Sequence, residues 1–67
     1  MNKDQIKGTW KEAKGKLKEQ WGKLTDDDLM EIEGNQDQLI GRLQQRYGVA
    51  REEAEKQANK FLQDNRW

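Results

Sequence analysis

Lys3, Lys7, Lys11, Lys14 and Lys18 recur at steps of four, four, three and four residues. On a helix this spacing gathers them into one continuous row. A row of ammonium groups can meet phosphates, either along a nucleic-acid backbone or on an anionic membrane surface. The plainer reading, and the favoured one, is a solvated flank whose aliphatic stems lie over the edge of a core. Seven lysines precede Thr25 against only Asp4, Glu12 and Glu19, so this part of the chain is basic. From Thr25 to Gly34 there are five acids and no base, enough to neutralise the row within the fold.

Three adjacent acids, Asp26, Asp27 and Asp28, bring metal binding to mind. Successive helical positions point about 100° apart, so three neighbours do not converge on one ion. The spaced acids and central glycine of a calcium loop are absent. A helix start explains the acids better, and no metal or other cofactor is expected. The chain has no His, Cys or Ser. Its hydroxyls are Thr9, Thr25 and Tyr47, none of which has an imidazole to activate it. A pair of carboxylates needs a dry cleft to shift its pKa values. In 67 residues, of which 31% are apolar and 39% charged, there is little material for one. No catalytic residue is assigned, and the expectation is a protein that is not an enzyme.

The elements that carry these residues follow from periodicity. Ile6, Trp10, Ala13, Leu17 and Trp21 fall within a helical sector about 80° wide. Asn2 and Gln5 suit a capping box at its start, and Gly22 suits a left-handed stop. Gly8, Gly15 and Gly22 lie nearly opposite the apolar stripe. Simple tolerance, a helix left near its folding threshold, or close approach by a partner's backbone each account for them. Leu24-Thr25-Asp26-Asp27-Asp28-Leu29 reads as staple, N-cap and capping acid. A short second helix then runs to about Glu33, carries Leu29 and Ile32 inward and stops at Gly34. Asn35 and Gln38 open a third helix with Leu39, Ile40, Leu43 and Tyr47 in its stripe, ended by Gly48. A fourth begins near Ala50 and places Ala54, Ala58, Phe61 and Leu62 on one side. Trp10 and Trp21 are assigned to the core, with base stacking as a weaker alternative. Trp67 is read as either a core contact, the favoured choice, or an exposed anchor.

The second half of this pattern echoes the first. Gly15-Lys16-Leu17 corresponds to Gly41-Arg42-Leu43, and Trp21-Gly22 to Tyr47-Gly48. One residue shorter, the run from Leu24 to Leu29 corresponds to that from Val49 to Ala54. The expected architecture is all-α: four short helices as two αα-hairpins in a single domain spanning 1–67. Neither hairpin alone has enough apolar surface to fold. The expected core is Ile6, Trp10, Ala13, Leu17, Trp21, Leu24, Leu29, Ile32, Leu39, Leu43, Tyr47, Ala54, Ala58 and Phe61. Charge this dense also marks disordered chains, but those lack such periodicity. No segment approaches the roughly 20 apolar residues of a membrane span, and the N-terminus lacks the apolar run of a signal peptide. A cytoplasmic monomer is the default expectation. Zero formal net charge weakens long-range attraction to polyanions.

Gly8-Thr9-Trp10-Lys11, followed by the run from Lys14 through Trp21-Gly22-Lys23-Leu24-Thr25 to Asp28, closely resembles the CsbD-like bacterial stress-response family. The likeness continues through Ile32-Glu33-Gly34, Asp37 to Gly41, and Tyr47-Gly48. It is weakest from Ala54 to Trp67, and Ala50 departs from it where a small polar N-cap is usual. The resemblance implies a small cytoplasmic protein induced under stress, with two hairpins packed roughly orthogonally in a SAM-domain-like bundle. It implies no catalytic residue, cofactor or ligand. Three functions stay open. The first is a non-enzymatic stress-response module that binds or protects. The second is a nucleic-acid-binding module using Lys3, Lys7, Lys11, Lys14 and Lys18. The third is a hydrophilic protectant that folds further at membranes or on drying.

Overall fold

The second helix begins where its sequence says it must. Thr25 is extended, and its hydroxyl accepts from the Asp28 N–H at 3.1 Å. The Asp28 carboxylate accepts in return from the Thr25 N–H at 3.0 Å, closing a capping box. Leu24 and Leu29, the two ends of the staple, are both buried. These contacts come from a computed structural model, which describes residues 3–64 of the chain and the side chains of 10–64. The expected roles of Asn2 and Trp67, and of the Ile6, Lys3 and Lys7 side chains, lie outside the described residues.

Four helices make up the fold: α1 (Lys3–Gln20), α2 (Asp26–Ile32), α3 (Gln36–Tyr47) and α4 (Arg51–Asp64). α3 packs most closely on α4 and next on α2. α1 joins the core through Leu17 and through Trp21 just beyond its last turn, and the small Ala13 is buried as well. The radius of gyration is 11.4 Å, close to the roughly 11 Å of a compact chain this long. Leu17, Trp21, Leu24, Leu29, Ile32, Leu39, Ile40, Leu43, Ala54, Ala58 and Phe61 form one contiguous core. Trp10, Val49 and Leu62 are half-buried against it.

The helix ends depart from expectation in instructive ways. Gly22 does not take the left-handed conformation, which among the described residues occurs only at Glu33, Gly34 and Gly48. The chain leaves α1 by a turn in which Leu24 N–H donates to the Trp21 carbonyl at 3.1 Å. α2 ends one residue earlier than expected, with Glu33 itself left-handed at φ 31° as the C-cap. Gly48 does cap α3 at φ 65°, and its N–H donates to the Gln44 carbonyl. Asn35 caps the start of α3 by accepting from the Gln38 N–H at 3.1 Å.

Tyr47 is a correction. Assigned to the core by its place in the α3 stripe, it is instead 37% exposed. It sits one turn past Leu43, where the apolar interior has ended. Its hydroxyl accepts from the Lys23 backbone N–H at 3.2 Å, and the Lys23 ammonium lies 5.2 Å from its ring centroid. The phenol therefore holds the loop after α1 from outside, a use that suits its polar tip. Ile40, on the stripe but not in the expected core, is buried.

Candidate functional site

Lys11, Lys14 and Lys18 are all exposed on α1, in a row beside the stripe that buries Ala13 and Leu17. Helical rise sets them about 4.5 and 6 Å apart along the axis. Lys18 pairs with Asp26 at 3.1 Å, so the acidic start of α2 neutralises the end of the row. This pair is exposed and contributes at most about 1 kcal/mol. Among the described residues, Lys11 and Lys14 make no ion pair, and neither do Lys16, Lys56 or Lys60. Gly15 faces solvent within the same helix, and a Cβ added there meets nothing within 4 Å.

The three consecutive acids go separate ways. Asp26 and Asp27 are exposed, whereas Asp28 is 1% exposed. Arg46 grips the Asp28 carboxylate with both arms of its fork, Nε at 2.7 Å and Nη2 at 2.9 Å. Arg42 Nη1 lies 3.5 Å from the same carboxylate, and its Nη2 reaches Glu31 at 4.0 Å. Hydrogen bonding from Arg46 holds the Asp28 carboxyl well below the usual carboxylate range. Burial works in the opposite sense, and the Thr25 N–H adds to the depression. The same hydrogen bond raises the pKa of Arg46. Asp28 thus caps α2 and clamps it to α3. Sequence reasoning found the cap but missed the clamp. The chain places Arg46 18 positions away, and no local spacing rule links it to Asp28.

Elsewhere the polar groups also tie helices together. Arg51 bridges Asp37 at 3.3 Å and Glu55 at 2.9 Å. Trp21 Nε1 donates to Gln57 Oε1 at 3.1 Å, and its ring meets Phe61 at 5.2 Å between centroids, tilted by 48°. Trp21 is thereby committed to the core and to α4. Beside it lies a cleft of about 250 Å³, open to solvent and bordered by Gln20, Gln57, Lys60 and Asp64. No group of three or more acidic side chains is placed to hold a metal ion among the described residues. Nor is any helix among them long and apolar enough to cross a membrane.

Fold and surface together define a small all-helical protein in which, among the described residues, the arginines are engaged in ion pairs between or along helices and the lysines are turned to solvent. The chain belongs to the CsbD-like family, whose model matches residues 4–56. It is 68% identical over 57 residues to UPF0337 protein ECA0631 of Pectobacterium atrosepticum, covering 85% of this chain and 83% of that one. It is 55% identical to UPF0337 protein YjbJ of Escherichia coli O6:H1 over the whole of both chains. Protochlamydia amoebophila has a similar protein, UPF0337 protein pc0632, at 54% identity over 98% of this chain and all of that one. The family match stops within α4, yet Ala58 and Phe61 beyond it are buried.

Proposed function

We propose that the protein is a non-enzymatic stress-response module of the bacterial cytoplasm, acting as a monomer that binds or protects other cell components through its charged surface. The observation that carries this reading is the division of labour among its cations. Arg42, Arg46 and Arg51 are engaged in ion pairs, while Lys11, Lys14, Lys16, Lys56 and Lys60 stand exposed and unpaired among the described residues. Arginine forks suit fixed, bidentate contacts, and lysine is a compact, strongly hydrated point charge. A surface of hydrated lysines and acids over a small filled core holds water and presents charge in many directions. Membership of the CsbD-like family is in keeping with this reading.

Drying supplies the test. An aggregation-prone enzyme is dried and rehydrated with the protein or with an equal mass of an unrelated small globular protein. Greater recovery of client activity with this protein is the expected result. Equal recovery with both refutes the protective role, and substrate turnover above that of a mutant control refutes the non-enzymatic one.

A further inference from the structure

We propose that the lysine row of α1 is a contact surface for anionic lipid headgroups. This deepens the reading above, on which it rests, by naming the partner. Lys11 and Lys14 are exposed and free of ion pairs among the described residues, and Asp26 occupies only Lys18, at the far end. The sequence continues the row at Lys7 and Lys3, and the α1 backbone is helical from Lys3 onward. Among the described side chains the free charge of the row is therefore that of Lys11 and Lys14, on the N-terminal side of Lys18 and farther along α1 from the acids of α2. Zero net charge gives no general attraction to polyanions. Positive charge set apart on one helix still orients the molecule on a flat anionic surface, which touches one face at a time. Basic segments gain affinity for such surfaces lysine by lysine.

Two features favour lipid over nucleic acid. Recognition of a nucleic acid adds stacking rings or groove-reading amides to phosphate contacts. Trp21 is buried and engaged with Gln57 and Phe61, which among the described residues leaves Trp10 alone beside the row, and one half-buried ring does not make the series of platforms on which successive bases stack. The row also borders the apolar stripe, where Trp10 is half-buried against the core. A lysine row beside a half-covered indole matches the headgroup level of a bilayer, where aromatic rings and snorkelling lysines gather.

The experiment is co-sedimentation of the full chain with vesicles at low salt. One set is phosphatidylcholine alone, and the other contains one third phosphatidylglycerol. Binding to the anionic set alone, weakened by added salt, is expected. Lys11→Gln with Lys14→Gln lowers partitioning by roughly 30-fold, at about fivefold per lysine. Lys56→Gln with Lys60→Gln, the same charge change on α4, leaves it near wild type. Circular dichroism of both variants matches wild type, because the altered side chains are exposed. Failure to bind anionic vesicles, equal binding to neutral ones, or equal weakening by the α4 pair overturns the proposal. So does a DNA duplex that displaces the vesicles at equal phosphate concentration. A protein that protects a client on drying yet leaves the vesicles unbound overturns the lipid surface while the broader reading stands.

Discussion

Replacing Asp28 by Asn tests the polar clamp between α2 and α3 with almost no change in shape. The wild-type carboxylate accepts from Thr25 N–H at 3.0 Å and from Arg46 at 2.7 and 2.9 Å, with Arg42 at 3.5 Å. Asn keeps one oxygen and turns an NH₂ toward a guanidinium that also donates. At least one charge-assisted bond is lost and the rest lose their charge, at about 1.5–3 kcal/mol per bond to a charged group. Arg46 is 41% exposed on its side chain, so it regains water and the loss is moderated. The expected cost of Asp28→Asn is about 3 kcal/mol at neutral pH. A chain this short has roughly 3–10 kcal/mol in total, so the variant is close to its limit. Urea titration at low temperature measures the difference, and Tm falls by about 12–24 °C. The pH dependence follows from the direction of the shift. Asp28 has a folded pKa below its ordinary 3.8, so its contribution is complete above that value and drains as pH falls toward the folded one. Wild type and variant are thus well separated from about pH 5 upward and converge as pH drops below 3.8. A gap under about 1 kcal/mol at pH 7, or one that persists unchanged to pH 2, refutes the clamp.

Further outcomes follow from the same structure. Gly15→Ala raises stability by about 1 kcal/mol in thermal melts, because its Cβ enters open space on an exposed helix face. Gly48→Ala has equal room but a φ of 65°, so it lowers stability by about 1 kcal/mol in the same assay. Leu17→Ala removes a fully buried side chain that anchors α1 and costs about 2–5 kcal/mol by urea titration. If α1 docks through this residue, hydrogen exchange in the variant rises first in α1. Thr25→Ala costs about 1–2 kcal/mol through loss of one half of the α2 capping box, read from the same titration.

The repeat in the sequence shows where local reading reaches its limit. Leu17 and Leu43 are both buried, as are Leu29 and Ala54. Gly15 and Gly41 both leave open space for a Cβ. The paired positions diverge wherever the surroundings differ. Trp21 is buried and Tyr47 exposed; Gly48 is left-handed and Gly22 is not. Asp28 is buried in an ion cluster, while its counterpart Glu53 is exposed and accepts from Gln57 at 3.0 Å. Thr25 forms a full box, and its counterpart Ala50 has no side chain that accepts a hydrogen bond.

What the amino-acid order determined alone was everything set within a few residues: four helices from the 3.6-residue period, the caps at Thr25, Asn35 and Gly48, and the staple of Leu24 and Leu29. It also set the lysine row, since positions three and four apart on one helix share a face whatever lies beyond. Tertiary structure decided which arginine reaches Asp28, and which aromatic lies inside and which outside. Those outcomes depend on where separate helices bring one another's side chains. That placement arises from the packing of the whole core, which no short window of sequence contains.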